Sequence, residues 1–223
     1  MTAPRVRFRT DTSKEFANQH DPLNVSKPIV LEENSRLSHS IIWSWMRSFY
    51  EQYGVVAWSN AIVPNFVTTN CCIAKQYARI ILGYLKDCYG AGAQSLSVSP
   101  AKPILLVELG AGHGKFAFLV IKKLLALQKF FPKTDCKWPF KYVLTDFTQS
   151  NVEFWSSHPS FKSFMEQGLV DFAVFDAEQD TEMELLLSGE RLSFRVPTNP
   201  VVVIANYLFD TLRHDAFRVV KGE

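Results

Sequence analysis

One stretch, residues 104–118, limits the possible folds of this chain more than any other. It reads ILLVELGAGHGKFAF, so an apolar run meets Glu108 and is followed by Gly110, Gly112 and Gly114. The residues after the glycines have the spacing of an amphipathic helix. A buried strand that turns through glycines into a helix brings backbone N–H groups to one point, where ligands commonly bind. The stretch therefore predicts a strand–turn–helix unit of an α/β domain, with a ligand site at the turn.

The spacing of the glycines distinguishes two kinds of cofactor. A dinucleotide fingerprint, G-x-G-x-x-G, needs its third glycine where this chain has Lys115. The pattern here is E-x-G-x-G-x-G, and its acidic residue suits a cationic ligand such as S-adenosylmethionine, which has no pyrophosphate. A nicotinamide oxidoreductase and a tight turn that binds nothing are the alternatives. The cofactor contacts predicted from this turn are Glu108, Gly110, Ala111, Gly112 and Gly114.

Four apolar runs predict the strands of a sheet. They are residues 104–107, 141–146, 170–176 and 201–205. Because these runs alternate with helical patterns, the predicted fold class is α/β, with a Rossmann-like, doubly wound and mostly parallel sheet. Open sheets of this kind usually have more strands, so further C-terminal strands are expected beyond residue 223.

The first hundred residues predict helices rather than strands. Residues 1–34 are polar and interrupted by prolines, which predicts an extended arm. Apolar residues recur at helical spacing in residues 36–53 and 71–89. The helix after the glycine turn is expected to reach residue 129. Another is expected from residue 149, with an interruption at His158 and Pro159, and a short one in the acidic, leucine-rich residues 178–187. We therefore divide the chain into an arm with a helical extension, residues 1–98, and a cofactor-binding domain, residues 99–223.

Acidic residues at the ends of the second and third strands extend the predicted site. Asp146 closes the second strand, where a carboxylate can accept hydrogen bonds from both hydroxyls of a ribose. Asp176 closes the third strand, where it could accept a hydrogen bond from an adenine amino group. Phe147 and Ala177 follow these acids and could line the ligand. The alternatives are helix capping for both acids and core packing for the phenylalanine.

The fourth strand runs into residues 206–210, NYLFD. Ligands of open α/β sheets bind at the carboxyl ends of the strands. Asn206 and Asp210 are therefore the candidate catalytic residues, since their oxygens could orient an amine nucleophile for methyl transfer, a reaction that depends mainly on alignment. The alternative is that both residues only shape the turn. His113 could approach the carboxylate of the ligand or simply fill the glycine turn.

Composition and charge argue against several classes of protein. The net charge of +2 is too small to argue for a nucleic-acid partner, and no apolar run reaches the length of a membrane span. The four cysteines form no C-x-x-C pair and have no histidine at a ligand spacing, so no metal site is expected. They are interpreted as reduced thiols of a cytoplasmic protein. The alternating Arg5, Arg7 and Arg9 leave mitochondrial targeting as the alternative location.

Four stretches together resemble the class I S-adenosylmethionine-dependent methyltransferases. They are VELGAGHG (107–114), YVLTDF (142–147), VDFAVFDAE (170–178) and VVVIANYLFD (201–210). More narrowly, the chain resembles the MidA-type family, which includes mitochondrial complex I assembly methyltransferases that modify a protein arginine. The features shared with that family are a threonine-containing segment before a helix, at residues 65–68, and the stretch ANYLFDTL at residues 205–212, which is followed by a hydrophobic segment at residues 217–220.

This resemblance implies that the three glycines contact S-adenosylmethionine, that Glu108 supports it and that Asp146 holds its ribose. It implies a methyltransferase whose acceptor is a protein side chain such as arginine, with a small-molecule acceptor as the alternative. The chain differs from the family at Ala111 and His113, where proline and arginine are typical, and at Tyr207, where an acid is typical. A non-catalytic module for cofactor binding or protein assembly is the second interpretation.

Overall fold

The computed structural model describes residues 30–90, 98–193 and 199–219. Residues 1–29 of the predicted arm and the segment 91–97 lie outside these ranges. Within the described ranges, no helix is long and apolar enough to cross a membrane.

Four parallel strands form the main sheet. They are β1 (Ile104–Glu108), β2 (Phe140–Asp146), β3 (Val170–Val174) and β6 (Val201–Ile204). Their order is β3-β2-β1-β6, and each neighbouring pair is parallel. The apolar sequences of β1 and β2 fit this arrangement, because both strands lie inside the sheet and are buried on both faces. The α/β fold class with a Rossmann-like, mostly parallel sheet is confirmed.

Six α-helices occur in the part of the chain that the structure describes. They are α1 (Ile41–Tyr53), α2 (Val56–Ser59), α3 (Cys71–Tyr89), α4 (Lys115–Leu125), α5 (Gln149–Ser157) and α6 (Pro159–Glu166). The side chain of Asn70 starts α3 by accepting hydrogen bonds from the N–H groups of Cys72 and Ile73. Proline at the first position of α6 separates this helix from α5, as predicted.

Helices α3 to α6 pack on one face of the sheet. Leu85 of α3, Ile121 of α4 and Trp155 of α5 join one buried core with Leu106 of β1. Each large apolar side chain buried in this way contributes about 1.5–3 kcal/mol to folding. The core thereby fixes the position of β1, whose carboxyl end leads into the glycine turn.

A β-hairpin covers the other face of the sheet. Its antiparallel strands are β4 (Glu182–Glu184) and β5 (Arg191–Ser193). The helix predicted for residues 178–187 is therefore wrong. Met183 and Leu185 alternate with exposed neighbours and pack against Val107 and Val143, which is the period of a strand.

Other predicted boundaries differ by a few residues. The first helix begins at Ile41 rather than residue 36, because Leu37–His39 form a 3-10 helix. The helix after the glycine turn ends at Leu125 rather than residue 129, and Gln128–Phe130 form another 3-10 helix. The third strand ends at Val174. Residues 216–219 are not part of a strand.

Internal contacts divide the chain into two units. One unit comprises residues 48–210 and contains the sheet. The other comprises residues 1–47 and 211–223. In its described part, Asp215 accepts a 3.0 Å hydrogen bond from the N–H of Ser38 and forms a 2.9 Å ion pair with Arg36. The domain division at residues 98 and 99 stays a prediction.

Candidate functional site

The carboxyl ends of the parallel strands bring the predicted site residues to one edge of the sheet. Glu108, the last residue of β1, pairs with Leu144 of β2 on one side and with Ile204 of β6 on the other. The glycine turn after β1 therefore lies between the end of β2 and the segment that follows β6. All residues of the candidate site belong to the unit of residues 48–210.

Hydrogen bonds tie the glycine turn to both neighbouring strands. The N–H of Leu109 donates to the carbonyl of Ile204 at 2.9 Å, and the N–H of Ala111 donates to that of Thr145 at 2.9 Å. The three glycines have φ angles of 64°, 55° and 72°, in the left-handed region that L side chains rarely adopt. The conformation of the turn therefore requires glycine at these positions.

Glycine has no Cβ, and a Cβ added at any of these three positions would lie against a side chain of the protein itself. The atom nearest to the added Cβ belongs to Leu208 at Gly110 (2.7 Å), to Trp58 at Gly112 (2.9 Å) and to Trp155 at Gly114 (2.9 Å). The three glycines are predicted cofactor contacts, which requires room for a ligand beside them. The structure assigns that room to the protein's own side chains, so contact between the glycines and a cofactor stays a prediction.

Glu108 is a buried acid, only 2 % exposed, at the base of the turn. Its Oε2 accepts a 2.7 Å hydrogen bond from the hydroxyl of Tyr142. Burial raises the pKa of the Glu108 carboxyl to about 8, against the lowering effect of this hydrogen bond and with a further increase from the charge of Asp146. The carboxyl is therefore mainly neutral at pH 7, and a cation bound beside it would favour its ionised form.

Asp146 connects the glycine turn to the beginning of α5. Its Oδ2 accepts a 3.0 Å hydrogen bond from the N–H of Gly112, and its Oδ1 accepts one of 3.0 Å from the N–H of Thr148. Burial raises the pKa of this carboxyl, while the Thr148 N–H and Gly112 N–H lower it. The two predicted roles of Asp146 are a contact with a ribose and the capping of a helix. The bond to the N–H of Thr148 resembles helix capping, and the ribose contact stays a prediction.

Two polar side chains beside Asp146 have no hydrogen bond in the protein. The hydroxyl of Thr148 and the amide of Asn151 are close enough to help lower the pKa of the Asp146 carboxyl. Neither reaches it with hydrogen-bond geometry, and both are buried. No pattern in the sequence points to these two residues.

The residues predicted to line the adenine follow β3. Asp176 accepts a 2.9 Å hydrogen bond from the N–H of Glu178, and its own N–H donates to Oδ2 of Asp180 at 2.8 Å. These bonds form a local turn, in which Ala177 is exposed. Phe147, after β2, is half-buried. The cofactor roles of Asp176, Ala177 and Phe147 stay predictions.

The segment after β6 is joined to the segment that precedes α3. The side-chain amide of Asn206 donates a 3.3 Å hydrogen bond to the carbonyl of Thr68. Tyr207 then has a φ of 61° and is 70 % exposed. Asp210 is exposed in the 3-10 helix Phe209–Thr211. The structure thus gives Asn206 a structural bond, and the catalytic roles of Asn206 and Asp210 stay predictions.

Three aromatic rings stack over the glycine turn. The ring centroids of Tyr50 and Trp58 are 5.4 Å apart, and those of Trp58 and His113 are 5.7 Å apart, both with an interplanar angle of 18°. Burial, followed by the charges of Asp210 and Asp146, raises the pKa of the Tyr50 hydroxyl. No spacing in the sequence indicates this stack, because the first two rings lie far along the chain from the turn.

His113 carries an uncharged imidazole. Burial and the nearby charge of Lys115 lower its pKa to about 4. Its Nε2 is buried and has no hydrogen-bond partner in the protein.

The polar groups of this site fit an organic cofactor with charged and hydroxyl groups. Two buried carboxyls, from Glu108 and Asp146, can accept hydrogen bonds from ammonium or hydroxyl groups. The unpaired polar atoms of His113 and Asn151 offer further partners. In the described ranges of the chain, no three His, Cys, Asp or Glu side chains are grouped to hold a metal ion.

Comparisons with known proteins give only weak likenesses. No protein-family model and no curated protein matches the chain. The methyltransferase (CMeT) domain of the citrinin polyketide synthase is 23 % identical over 36 % of this chain and 18 % of that domain's chain, with a TM-score of 0.24. A COG1565 superfamily protein from Burkholderia thailandensis is 18 % identical over 68 % of this chain and 32 % of its own, with a TM-score of 0.35.

A third solved structure, the CurJ carbon methyltransferase, is 17 % identical over 61 % of this chain and 38 % of its own, with a TM-score of 0.27. The chain thus spans less than two fifths of the length of each of these three structures.

Proposed function

We propose that this protein is an S-adenosylmethionine-dependent methyltransferase. The observation that supports this best is the 3.0 Å hydrogen bond between the N–H of Gly112 and the carboxylate of Asp146. It joins the E-x-G-x-G-x-G turn to the acid at the end of the neighbouring strand. In such an arrangement, the acid of the turn can bind the cationic amino acid part of a cofactor, and the acid of the neighbouring strand can bind its ribose.

In this proposal, Glu108 and Asp146 are the acids that hold the cofactor. Glu108 receives its cationic end, and the loss of a proton from the buried carboxyl accompanies binding. Asp146 accepts hydrogen bonds from the ribose while keeping the turn in place. Phe147, Asp176 and Ala177 line the adenine. Bound S-adenosylmethionine would supply a methyl group already activated by its sulfonium.

The methyl acceptor would bind beside the segment that follows β6. Asn206 and Asp210 lie at that edge, and an amide oxygen or a carboxylate can orient an amine nucleophile. The MidA-type resemblance favours a protein side chain such as arginine as the acceptor. The exposed carboxylate of Asp210 suits a guanidinium, which binds carboxylates through paired hydrogen bonds.

A non-catalytic module is the second candidate. It is favoured by Trp58 and Leu208, which fill the spaces next to Gly112 and Gly110. A chain that had lost its cofactor could keep the turn for packing alone. The two candidates differ in whether the cofactor binds and in whether a methyl group is transferred.

Calorimetry with S-adenosylmethionine tests the proposal. We expect micromolar binding by the wild-type chain and a loss of about 100-fold or more in Asp146→Ala, which removes a partner of the ribose and of the turn. Asp135→Ala is the matched control, because this acid is exposed in a loop away from the strand ends. Asp146→Asn, which keeps one oxygen acceptor, should show an intermediate loss.

Absence of binding by a folded wild-type sample would disprove the proposal. Binding without transfer of a labelled methyl group to any protein or small molecule of a cell lysate would favour the non-catalytic module. Transfer to a protein band, followed by identification of the modified side chain, would name the acceptor.

A further inference from the structure

Four buried side-chain atoms in the described residues have no hydrogen-bond partner, and all four flank one bond. They are Nε2 of His113, Oγ1 of Thr148, and Nδ2 and Oδ1 of Asn151. His113 follows Gly112, whose N–H binds Asp146, and the other two residues lie shortly after Asp146. Buried polar atoms are nearly always paired in folded proteins. Nε2 of His113 is the one of these atoms that belongs to the glycine turn, where a polar ligand would supply the partner that it lacks.

The imidazole of His113 packs at the end of an aromatic stack. Trp58 stacks on it, and Tyr50 stacks on Trp58. The glycines on either side of His113 have left-handed φ angles and are held by Trp58 and Trp155. The unpaired nitrogen therefore stays at the glycine turn, where a small rotation of the ring would present it to a ligand.

The charges around the unpaired atoms differ. Thr148 and Asn151 lie beside the Asp146 carboxylate, which repels a second carboxylate and suits hydroxyl groups. His113 instead has the cation Lys115 nearby, close enough to lower its pKa. An anionic group of a ligand is therefore stabilised near His113 rather than near Thr148 and Asn151.

We propose that Nε2–H of His113 donates a hydrogen bond to the carboxylate of the cofactor's amino acid part. This rests on the proposed function, since it assumes that S-adenosylmethionine binds at the glycine turn. His113 is then a cofactor-binding residue, and Trp58 is a positioning residue that holds the imidazole through the stack. Because of this contact, the site should prefer a cofactor whose amino acid part keeps its carboxylate.

Two ligands that differ only in the carboxylate test the proposal. They are S-adenosylmethionine and its decarboxylated analogue, with dissociation constants measured by calorimetry on the full chain. We expect the wild type to prefer S-adenosylmethionine by about 10- to 100-fold, the range of one hydrogen bond to a charged group. His113→Phe keeps a ring to stack on Trp58 but has no nitrogen, and should bind both ligands alike. His39→Phe, at an exposed histidine, is the control and should keep the wild-type preference.

The possible outcomes are distinct. Equal weakening of both ligands in His113→Phe, or no preference in the wild type, overturns the role of His113 while leaving the proposed function intact. A wild type that binds neither ligand overturns the proposed function as well. If His113→Phe does not fold, imidazole nitrogen NMR of the wild type decides: the His113 Nε2 signal should shift with S-adenosylmethionine and much less with the analogue. Equal shifts with both would contradict the proposal.

Discussion

The N–H of Gly112 donates a 3.0 Å hydrogen bond to Oδ2 of Asp146, so the turn after β1 is held by the last residue of β2. The other oxygen of the same carboxylate accepts the N–H of Thr148. Hydrogen bonds to an ionised acceptor are stronger than neutral ones, and this carboxylate is buried. One acid thus fixes both the glycine turn and the start of α5. The backbone at this edge of the sheet is therefore already in position when a ligand binds.

Gly112→Ala should destabilise the protein by about 2–4 kcal/mol. The added Cβ lies 2.9 Å from the ring of Trp58, and the φ of 55° is itself unfavourable for alanine. Chemical denaturation followed by circular dichroism measures the change in the free energy of unfolding.

Gly83→Ala is the matched control for this substitution. Gly83 lies on the exposed side of α3, and no atom lies within 4 Å of an added Cβ. This change should stabilise the protein by about 0.5–1 kcal/mol, since alanine favours a helix interior. Adding Trp58→Leu to Gly112→Ala should recover part of the loss. A Gly112→Ala protein as stable as the wild type would show that the turn tolerates a side chain.

Glu108→Gln should change how stability depends on pH. The carboxyl has a pKa of about 8 in the folded protein and an ordinary value of 4.5. Between these values the folded state binds more protons than the unfolded state, so the contribution of Glu108 to stability falls as pH rises. The slope is about 1.4 kcal/mol per pH unit. Glutamine still accepts the hydrogen bond of Tyr142 but does not titrate.

Denaturation of wild type and Glu108→Gln from about pH 5.5 to pH 8 measures this difference. The variant should gain stability relative to the wild type throughout that range. Asp146 also has a raised pKa, but it is present in both proteins and cancels in the comparison. A stability difference that is constant with pH would show that Glu108 is already ionised in the folded state.

The strands and the turn could be predicted because their residues carry local signals. The apolar residues before Glu108 specify a buried strand, and the glycines after it supply the left-handed angles of the turn. Parallel pairing then places Asp146 at the same edge, whatever the distant contacts are. These features require only the pattern of the chain and the geometry of a parallel sheet.

The hairpin and the aromatic stack could not be predicted, since they depend on tertiary contacts. Residues 178–187 have the composition of a helix. The packing of Met183 and Leu185 on the second face of the sheet stabilises the hairpin more than helix propensity stabilises a helix there. Trp58 contacts His113 because the segment before α3 lies over the turn in the folded chain. Nothing in the local sequence of either residue indicates the other.

Tyr207→Gly should stabilise the protein by about 0.5–1 kcal/mol. Tyr207 has a φ of 61° although it is not glycine, and its side chain is mostly exposed, so little packing is lost. Phe209→Gly is the control: this residue is similarly exposed without a positive φ, and glycine there should be neutral or destabilising. Thermal unfolding compares the two variants. A loss of stability in Tyr207→Gly would show that the tyrosine ring contributes packing that outweighs the backbone strain.

Asp171→Ala should cost about 3 kcal/mol, because the buried carboxylate of Asp171 holds the hairpin to β3. Its oxygens accept hydrogen bonds from the N–H groups of Leu187 (2.8 Å) and Ser188 (3.2 Å) and from the Ser188 hydroxyl (2.8 Å). Ser188→Ala removes only the hydroxyl bond and should cost about 1 kcal/mol. Hydrogen exchange should show faster exchange at the amides of Leu187 and Ser188 in Asp171→Ala alone. Unchanged protection of these amides would mean that the packing of Met183, rather than Asp171, fixes the hairpin.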